Sequence, residues 1–374
     1  MTIEPDTKDW TWVLGKPCAE CGFDAPGLDR ERIPQAIRDN ATLWEVVLGT
    51  DDAAVRPSGH VWSPLEYACH IRDVNSLFER RLRLMLEEDA PLFDNWDQDA
   101  AAVGYGDQDP NIIAREVTAA AASVAAAYEG LAGDRWERTG QRSDGASFTV
   151  ETFARYHLHD LVHHAHDVSH ITKRVTVASY EAHAATYVAG QPPVSADVSA
   201  AVDGFAGLLE NGARVLEVGS GSGRDAGLLE ERGLRVRRTD ITPAFVRMLR
   251  AAGHDATVLD PLVDDLADPE HEPPYDGVWA SASLLHVRRE DLPQVLTNLA
   301  GATREGGVLH LAVKEGDGAR FSVHGNVPGP RHFTFWREDG LRAVLAGAGW
   351  EVRSLVRGTG LRDETWLDVT ALRR

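Results

Sequence analysis

The 374-residue sequence predicts two domains of different fold class, an all-α bundle followed by an α/β domain with a mostly parallel sheet. Three observations indicate this. Apolar residues between about 27 and 190 recur only at helical spacing, the segment GQPPVSAD has the composition of a linker, and short apolar runs alternate with helical segments after it. We therefore assign an N-terminal extension to 1–26, the bundle to 27–189, the linker to 190–197 and the α/β domain to 198–374.

Capping signals locate the helices of the predicted bundle. The stretch SPLE at 63–66 has the pattern of a capping box with proline at the first helical position, and DP at 109–110 opens an alanine-rich helix. Ser147 or Thr149 opens the helix that contains YHLHDLVHHAHDVSH. We expect four up-and-down helices, near 30–48, 64–88, 110–130 and from 147 or 149 onward, and a short fifth helix near 178–188.

The second domain is predicted to hold a parallel sheet that ends in an antiparallel pair. Its first strands are expected at ARVLEVG, LRVRRTD, ATVLD, YDGVWAS and GVLHLAVKEG, each followed by a helical segment. The last two runs, WEVRSLVR and ETWLDVTALRR, have no helix between them. We therefore expect them to form a hairpin at the edge of the sheet.

Charge and composition exclude several classes of function. With 38 basic and 58 acidic residues the net charge is −20, which disfavours binding to nucleic acid or to an anionic membrane surface. No apolar run reaches the roughly 18 residues of a membrane span, and the N-terminus lacks the pattern of a secretion signal, so we expect a cytoplasmic protein. Cys18 and Cys21 form a CxxC, but a zinc site needs a second ligand pair, so free thiols are expected.

A glycine-rich turn in the second domain predicts a nucleotide site. The strand RVLEV runs into GSGSG at 219–223, Asp240 ends the next strand, where a carboxylate can accept both ribose hydroxyls, and Asp260 ends the third. The motifs EVGSGSG, TD, YDGVWASASLLHV and REGGVLHLAVKEG resemble, in order and spacing, those of class I S-adenosylmethionine-dependent methyltransferases. The resemblance covers roughly residues 195–374. It implies that the methionine end of the cofactor lies near Glu217, Gly219, Gly221 and Gly223, the ribose near Asp240, and the adenine near Asp260, with Asp265 as a second candidate for the adenine.

The resemblance also implies a small-molecule methyl acceptor with a nitrogen, oxygen or sulfur nucleophile. Methyl transfer from a sulfonium depends on alignment more than on acid–base chemistry, and a base helps only where the acceptor must lose a proton. His286 follows the fourth strand, where this family often lines the acceptor pocket, so it is the candidate catalytic residue. The alternative is that it caps a helix.

The histidine-rich helix presents two sets of polar residues. At about 100° per residue, His157, Asp160 and His164 lie at the edge of the apolar face, whereas His159, His163, His166 and His170 form a stripe roughly opposite. The first set is therefore predicted to face inward. The stripe is expected to be a solvated face or a domain contact.

The first domain carries a second, weaker resemblance. WSPLEYACHIRDVNSLFERRL resembles the DinB-like helical bundles, which include mycothiol-dependent isomerases, over about residues 27–175. The resemblance implies one divalent metal held by His70, Asp160 and His164, with His159 and His163 as the alternative ligand pair.

Two imidazoles and a carboxylate leave open positions that suit zinc, nickel or ferrous iron, and a metal of this kind can activate a low-molecular-weight thiol. The sequence thus predicts a methyltransferase with a metal-binding bundle. The rivals are a metal-dependent thiol S-transferase with an accessory methyltransferase domain and a stress-linked binding protein without catalysis.

Overall fold

The computed structural model describes residues 9–267, 274–360 and 364–374 and divides the chain into two compact units, Met1–Ile171 and Thr172–Arg374. No helix within these described ranges combines the length and apolarity that a bilayer span requires.

The first unit is built on four long helices, three of which begin at the predicted capping signals, whereas the first begins at Ile33 without a side-chain cap. The hydroxyl of Ser63 accepts a hydrogen bond from the backbone N–H of Glu66, and the carboxylate of Glu66 accepts one from the backbone N–H of Ser63. Thr149 forms a second reciprocal box with Thr152. Between these helices lie short elements that the sequence did not predict. The helices are α1 (Ile33–Leu48), α2 (Pro64–Glu87), α3 (Gln98–Ala102), α4 (Pro110–Glu129) and α5 (Val150–Asp167), and the strands are β1 (Leu92–Phe93), β2 (Thr139–Arg142) and β3 (Ser147–Thr149).

Helix α5 packs against α1 and α2 in the first unit. Phe153, Leu158 and Leu161 are buried on its apolar face, as the helical spacing predicted. His157 is also fully buried, with its ring stacked at 4.4 Å on that of Phe78 from α2. The inward placement expected for the first polar set therefore holds for His157.

The second unit contains a seven-stranded sheet among its described residues. The sheet strands are β4 (Arg214–Val218), β5 (Arg235–Asp240), β6 (Ala256–Val258), β7 (Tyr275–Ser281), β8 (Thr303–Lys314), β11 (Trp350–Thr359) and β12 (Thr365–Arg373), and an unpredicted hairpin pairs β9 (Ala319–Ser322) with β10 (Arg331–Thr334). The helices are α6 (His170–Ala189), α7 (Ala196–Ala206), α8 (Arg224–Glu231), α9 (Pro243–Ala251), α10 (Leu292–Ala302) and α11 (Glu338–Gly347).

The strand order in the sheet is β11-β12-β8-β7-β4-β5-β6. Strands β4 to β8 run parallel to one another. Strand β12 pairs antiparallel with both β8 and β11, and its pairing with β11 is the expected terminal hairpin.

The boundary between the units lies earlier in the chain than residue 189. Helix α6 is longer than the predicted fifth helix and, from Thr172 onward, belongs to the second unit. Its Glu181 accepts a hydrogen bond from Ala244 N at 2.6 Å, and its Tyr187 packs at 5.4 Å against Phe245 of α9. The expected assignment of 178–188 to the bundle is therefore corrected, because the partners of this helix are distant in sequence.

Candidate functional site

A cleft opens at the carboxyl ends of strands β4, β5 and β6 in the second unit. Gly219, Gly221, Asp240 and Asp260 line it, so the structure brings together four of the seven residues predicted near the cofactor. Apolar side chains from the loops that follow these strands, such as that of Leu259, also line the cleft. A cleft at this end of a parallel sheet is where nucleotides bind in open α/β folds.

The glycine-rich turn is held in a conformation that side chains rarely adopt. Gly219 has φ +81°, and a Cβ added there would come within 2.4 Å of the Cβ of Ser283. Gly221 has φ +53° and borders the cleft. The backbone N–H of Gly219 donates to Thr239 O at 2.9 Å, which fixes the turn to β5. The pattern GSGSG thus reflects both backbone conformation and close packing.

Two buried carboxylates lie beside this turn. Asp240 is 6% exposed and accepts hydrogen bonds from Gly221 N at 2.9 Å and Thr242 N at 2.8 Å. Burial raises its pKa, and these two N–H groups oppose the rise. Glu217 is more deeply buried and does not line the cleft; burial raises its pKa to about 7, with a smaller contribution from Asp225.

The remaining predicted cofactor residues are placed differently. Asp260 lines the cleft, where its carboxylate contacts the ammonium of Lys173. Asp265 is exposed and outside the cleft lining, with its carboxylate accepting from Ala267 N at 2.9 Å. Gly223 (φ +80°) caps α8, and an added Cβ would meet Leu249 at 2.6 Å. The role of Gly223 here is packing, and Asp265 is not brought to the cleft.

His286 lies on the cleft wall with both ring nitrogens engaged. Its Nδ1 is 2.6 Å from His332 O, and because a carbonyl can only accept, Nδ1 carries the proton. Its Nε2 therefore accepts from the hydroxyl of Tyr180 at 3.0 Å. Burial lowers the pKa of His286 to about 3 and raises that of Tyr180 to about 12, so both groups are neutral at physiological pH.

A second candidate site lies in the helical bundle. Nε2 of His70, from α2, is 3.5 Å from Asp160 Oδ1, and Nε2 of His164 is 3.3 Å from the same oxygen. One ligand atom from each residue falls in a group whose members all lie within 4.8 Å of one another. Nδ1 of His164 is 2.9 Å from Asp167 Oδ2, and this contact orients the ring.

The electrostatics of this group suit a cation. Burial lowers the pKa of His70, so its imidazole is neutral, the form that ligates metals. Burial alone would raise the pKa of Asp160, but the close contact of its carboxylate with His70 and the electrostatic influence of the other nearby histidines lower it, so the carboxylate is ionised. Asp160 Oδ1 is buried without a hydrogen-bond partner among the described residues. A divalent ion would satisfy that oxygen and the imidazoles together.

The alternative ligand pair, His159 and His163, lies next to the two cysteines of the CxxC motif and not next to His70. His159 and His163 group with Cys18 and Cys21, and each of the four offers a ligand atom within 4.8 Å of the other three. His159 is 3% exposed, so the expected solvated face is corrected at this residue. The CxxC and HxxxH motifs are both visible in the sequence, but they are far apart in the chain, so no local pattern predicts that they lie together.

Comparison with known proteins gives one curated relative and several solved structures. Hemagglutinin 1 of Eikenella corrodens is 29% identical over 153 residues, which are 41% of this chain, and the chain spans only 48% of that protein. A Burkholderia thailandensis 1,6-didemethyltoxoflavin-N1-methyltransferase with bound S-adenosylhomocysteine matches with 21% identity and a TM-score of 0.44, covering 55% of this chain and 89% of that one. The N-methyltransferase NodS of Bradyrhizobium japonicum, also with S-adenosylhomocysteine, matches with 14% identity and a TM-score of 0.42, covering 53% and 98%.

Family models match both units. Residues 35–168 match the DinB superfamily, and residues 216–309 match the methyltransferase domain family. The first range contains all three residues of the His70 group, and the second contains the glycine-rich turn, Asp240 and His286. The chain therefore joins a domain of the DinB superfamily to a methyltransferase domain.

Proposed function

We propose that the second unit binds S-adenosylmethionine in its cleft and methylates a small molecule. The observation that carries this proposal is the buried Asp240 carboxylate, which is held beside the glycine-rich turn on the wall of a cleft. Each of its oxygens accepts one backbone N–H and retains a second lone pair, so ribose hydroxyls can still donate to it. The apolar wall near Leu259 suits an adenine ring.

When bound, the cofactor supplies an electrophilic methyl group on a sulfonium. The protein contributes alignment and exclusion of water. Gly219 and Gly221 permit close approach of the backbone, Asp240 binds the ribose, and we assign Asp260 to the adenine end, where Lys173 must leave its carboxylate. We assign no direct cofactor contact to Glu217, because it is buried and does not line the cleft.

The environment of His286 restricts the acceptor. A histidine whose pKa is about 3 and whose Nε2 already accepts from Tyr180 is a poor general base. We therefore assign His286 to positioning Tyr180 at the acceptor end of the cleft, in place of proton abstraction. The acceptor is then a nucleophile that needs no deprotonation in the site, such as a neutral amine or an already ionised thiolate or carboxylate.

In the bundle, the three donor atoms fit one divalent metal, held by His70, Asp160 and His164. The metal would supply a Lewis acid with open coordination positions, where a low-molecular-weight thiol would lose its proton. The contact of Nδ1 of His164 with the carboxylate of Asp167 leaves Nε2 as the nitrogen that would coordinate the metal. This set of contacts is what favours the second candidate function, a metal-dependent thiol S-transferase.

Titration of the full-length protein with S-adenosylhomocysteine tests the first proposal. In Asp240→Asn, one carboxylate oxygen becomes an NH₂ donor that faces a backbone N–H, and a charge-assisted hydrogen bond worth about 1.5–3 kcal/mol is lost. We expect Kd to rise roughly 10- to 100-fold. Asp265→Asn is the matched control, because that side chain is exposed and outside the cleft, and it should leave Kd within about twofold of wild type. Absence of binding by the wild-type protein would refute the proposal.

Metal analysis tests the bundle site. Asp160→Ala removes the only carboxylate of the proposed ligand set, so we expect it to lower the bound divalent metal by one equivalent per chain. S-adenosylhomocysteine binding should be unchanged, because the variant leaves the second unit intact. Wild-type metal content in this variant would refute the assignment.

A further inference from the structure

We propose that Cys18, Cys21, His159 and His163 form a structural zinc site, separate from the His70 group. The four residues provide two sulfur and two imidazole ligands, a set typical of tetrahedral zinc. Four protein ligands leave no position for a substrate, so this site is closed. In contrast, the His70 group offers three ligands and remains open. The two sites use different ligands, and the zinc site does not rest on the proposed function.

The loop that carries the cysteines has the conformation such a site needs. Gly22 N donates to Cys18 O at 2.9 Å, and Cys18 N donates to Phe23 O at 2.9 Å, so the chain folds back on itself around Cys21. Gly22 has φ +73°, which favours glycine directly after the second cysteine. Both thiols are nearly buried, at 2% exposure for Cys18 and 9% for Cys21. The spacing C-x₂-C thereby directs both sulfurs to one side of the loop.

Helix α5 supplies the histidines. His159 and His163 are four residues apart and project from one face of the helix toward the cysteine loop. Nδ1 of His163 is 3.9 Å from Cys18 Sγ, and its Nε2 is 3.5 Å from a carboxylate oxygen of Glu20. A carboxylate next to the distal nitrogen is the usual partner of a metal-bound imidazole. The ring of His163 is thus oriented with Nδ1 toward the sulfur.

Protein contacts alone leave this cluster poorly satisfied. His159 is 97% buried, and its Nε2 has no hydrogen-bond partner in the part of the chain that the structure describes. The ring is packed between aromatic residues, with Trp10 at 5.5 Å and Phe23 at 5.9 Å between ring centroids. A buried polar atom without a partner destabilises the folded state. Coordination of one ion by all four residues would replace the missing hydrogen bonds.

A metal at this position would fasten the N-terminal segment to the bundle. Trp10, which begins a short 3₁₀ helix (Trp10–Leu14), lies 4.7 Å from the ring of His163. Trp10 and Glu20 also line the cavity that contains His70, Asp160 and His164. The zinc would therefore fix one wall of the open site without taking part in its chemistry.

Cobalt substitution of the untagged full-length protein tests the inference. Cobalt bound to thiolates gives a sulfur-to-metal charge-transfer absorption in the near ultraviolet, which the cysteine-free His70 group cannot produce. We expect this absorption in wild type and in Asp160→Ala, and its loss with one metal equivalent in the double variant Cys18→Ser/Cys21→Ser. Cys69→Ala is the control for a buried thiol outside the cluster and should retain the absorption.

The two sites fail independently in this experiment. Loss of metal in Asp160→Ala alone, with no charge-transfer absorption in wild type, would overturn the zinc proposal and leave the open site standing. A Cys18–Cys21 disulfide in the metal-free protein as purified, with no uptake of cobalt after reduction, would also overturn it. If the double variant does not fold, the wild-type spectrum decides, together with hydrogen exchange of residues 10–23, which should slow when zinc is added.

Discussion

Replacement of Glu217 by glutamine should remove a pH dependence from the stability of the methyltransferase domain. Glu217 is 2% exposed, and one of its carboxylate oxygens has no hydrogen-bond partner among the residues the structure describes. Burial is the largest cause that raises its pKa from 4.5 to about 7. The folded state therefore holds this proton over a pH range in which the unfolded state has released it.

The size of the effect follows from this shift in pKa. A rise of about 2.5 pKa units corresponds to about 3 kcal/mol, at 1.36 kcal/mol per unit. Because the folded-state pKa is the higher one, the stabilising contribution is fully present below pH 4.5 and is lost as the pH rises to about 7. The neutral glutamine has no such titration. Relative to wild type, Glu217→Gln should gain about 3 kcal/mol of unfolding free energy between pH 4.5 and pH 8.

Urea unfolding with pulse proteolysis measures this difference for the second unit of the full-length protein. Wild type and Glu217→Gln are compared at several pH values across that window, with Glu210→Gln, an exposed position, as the matched control. The control should follow wild type at every pH. If the difference between Glu217→Gln and wild type stays constant within about 0.5 kcal/mol across the window, the argument from burial is refuted.

Two further predictions concern the same unit. Gly219→Ala should weaken S-adenosylhomocysteine binding at least tenfold in a calorimetric titration, because φ at Gly219 is +81° and the new Cβ would meet Ser283. The control Gly227→Ala, in helix α8 with open space around it in the described structure, should retain binding and gain up to about 1 kcal/mol in stability. Equal affinities of the two variants would contradict this interpretation of the turn. Tyr180→Phe leaves Nε2 of His286 buried without its donor and should cost about 1–3 kcal/mol in urea unfolding, and an unchanged midpoint would argue against that hydrogen bond.

Local signals in the sequence were sufficient for most of the fold. Ser63 and Thr149 cap helices α2 and α5 as the capping patterns predicted, since a cap depends on residues within one turn. The glycine-rich turn was equally predictable, because its positive φ angles restrict it to glycine. The terminal hairpin followed from the absence of a helix between its strands.

The differences arise where a residue's partner is remote in sequence. Helix α6 was expected to belong to the bundle, but the hydroxyl of its Thr176 accepts a hydrogen bond from the backbone of His332, 156 residues away. Asp265 follows Asp260 closely in the chain, yet it caps its own loop instead of reaching the cleft. No periodicity or spacing within either segment encodes these outcomes.

Helix α5 explains why the histidine-rich stretch allowed two metal interpretations. Its two candidate ligand pairs, His159 with His163 and Asp160 with His164, are offset by one residue and therefore by about 100° around the helix axis. One pair lies with His70, and the other lies with the CxxC loop. A helical projection distinguishes the two directions but does not show that an N-terminal segment covers the second one. The two pairs are therefore compatible, because two successive turns of one helix can supply two coordination sites on adjacent faces.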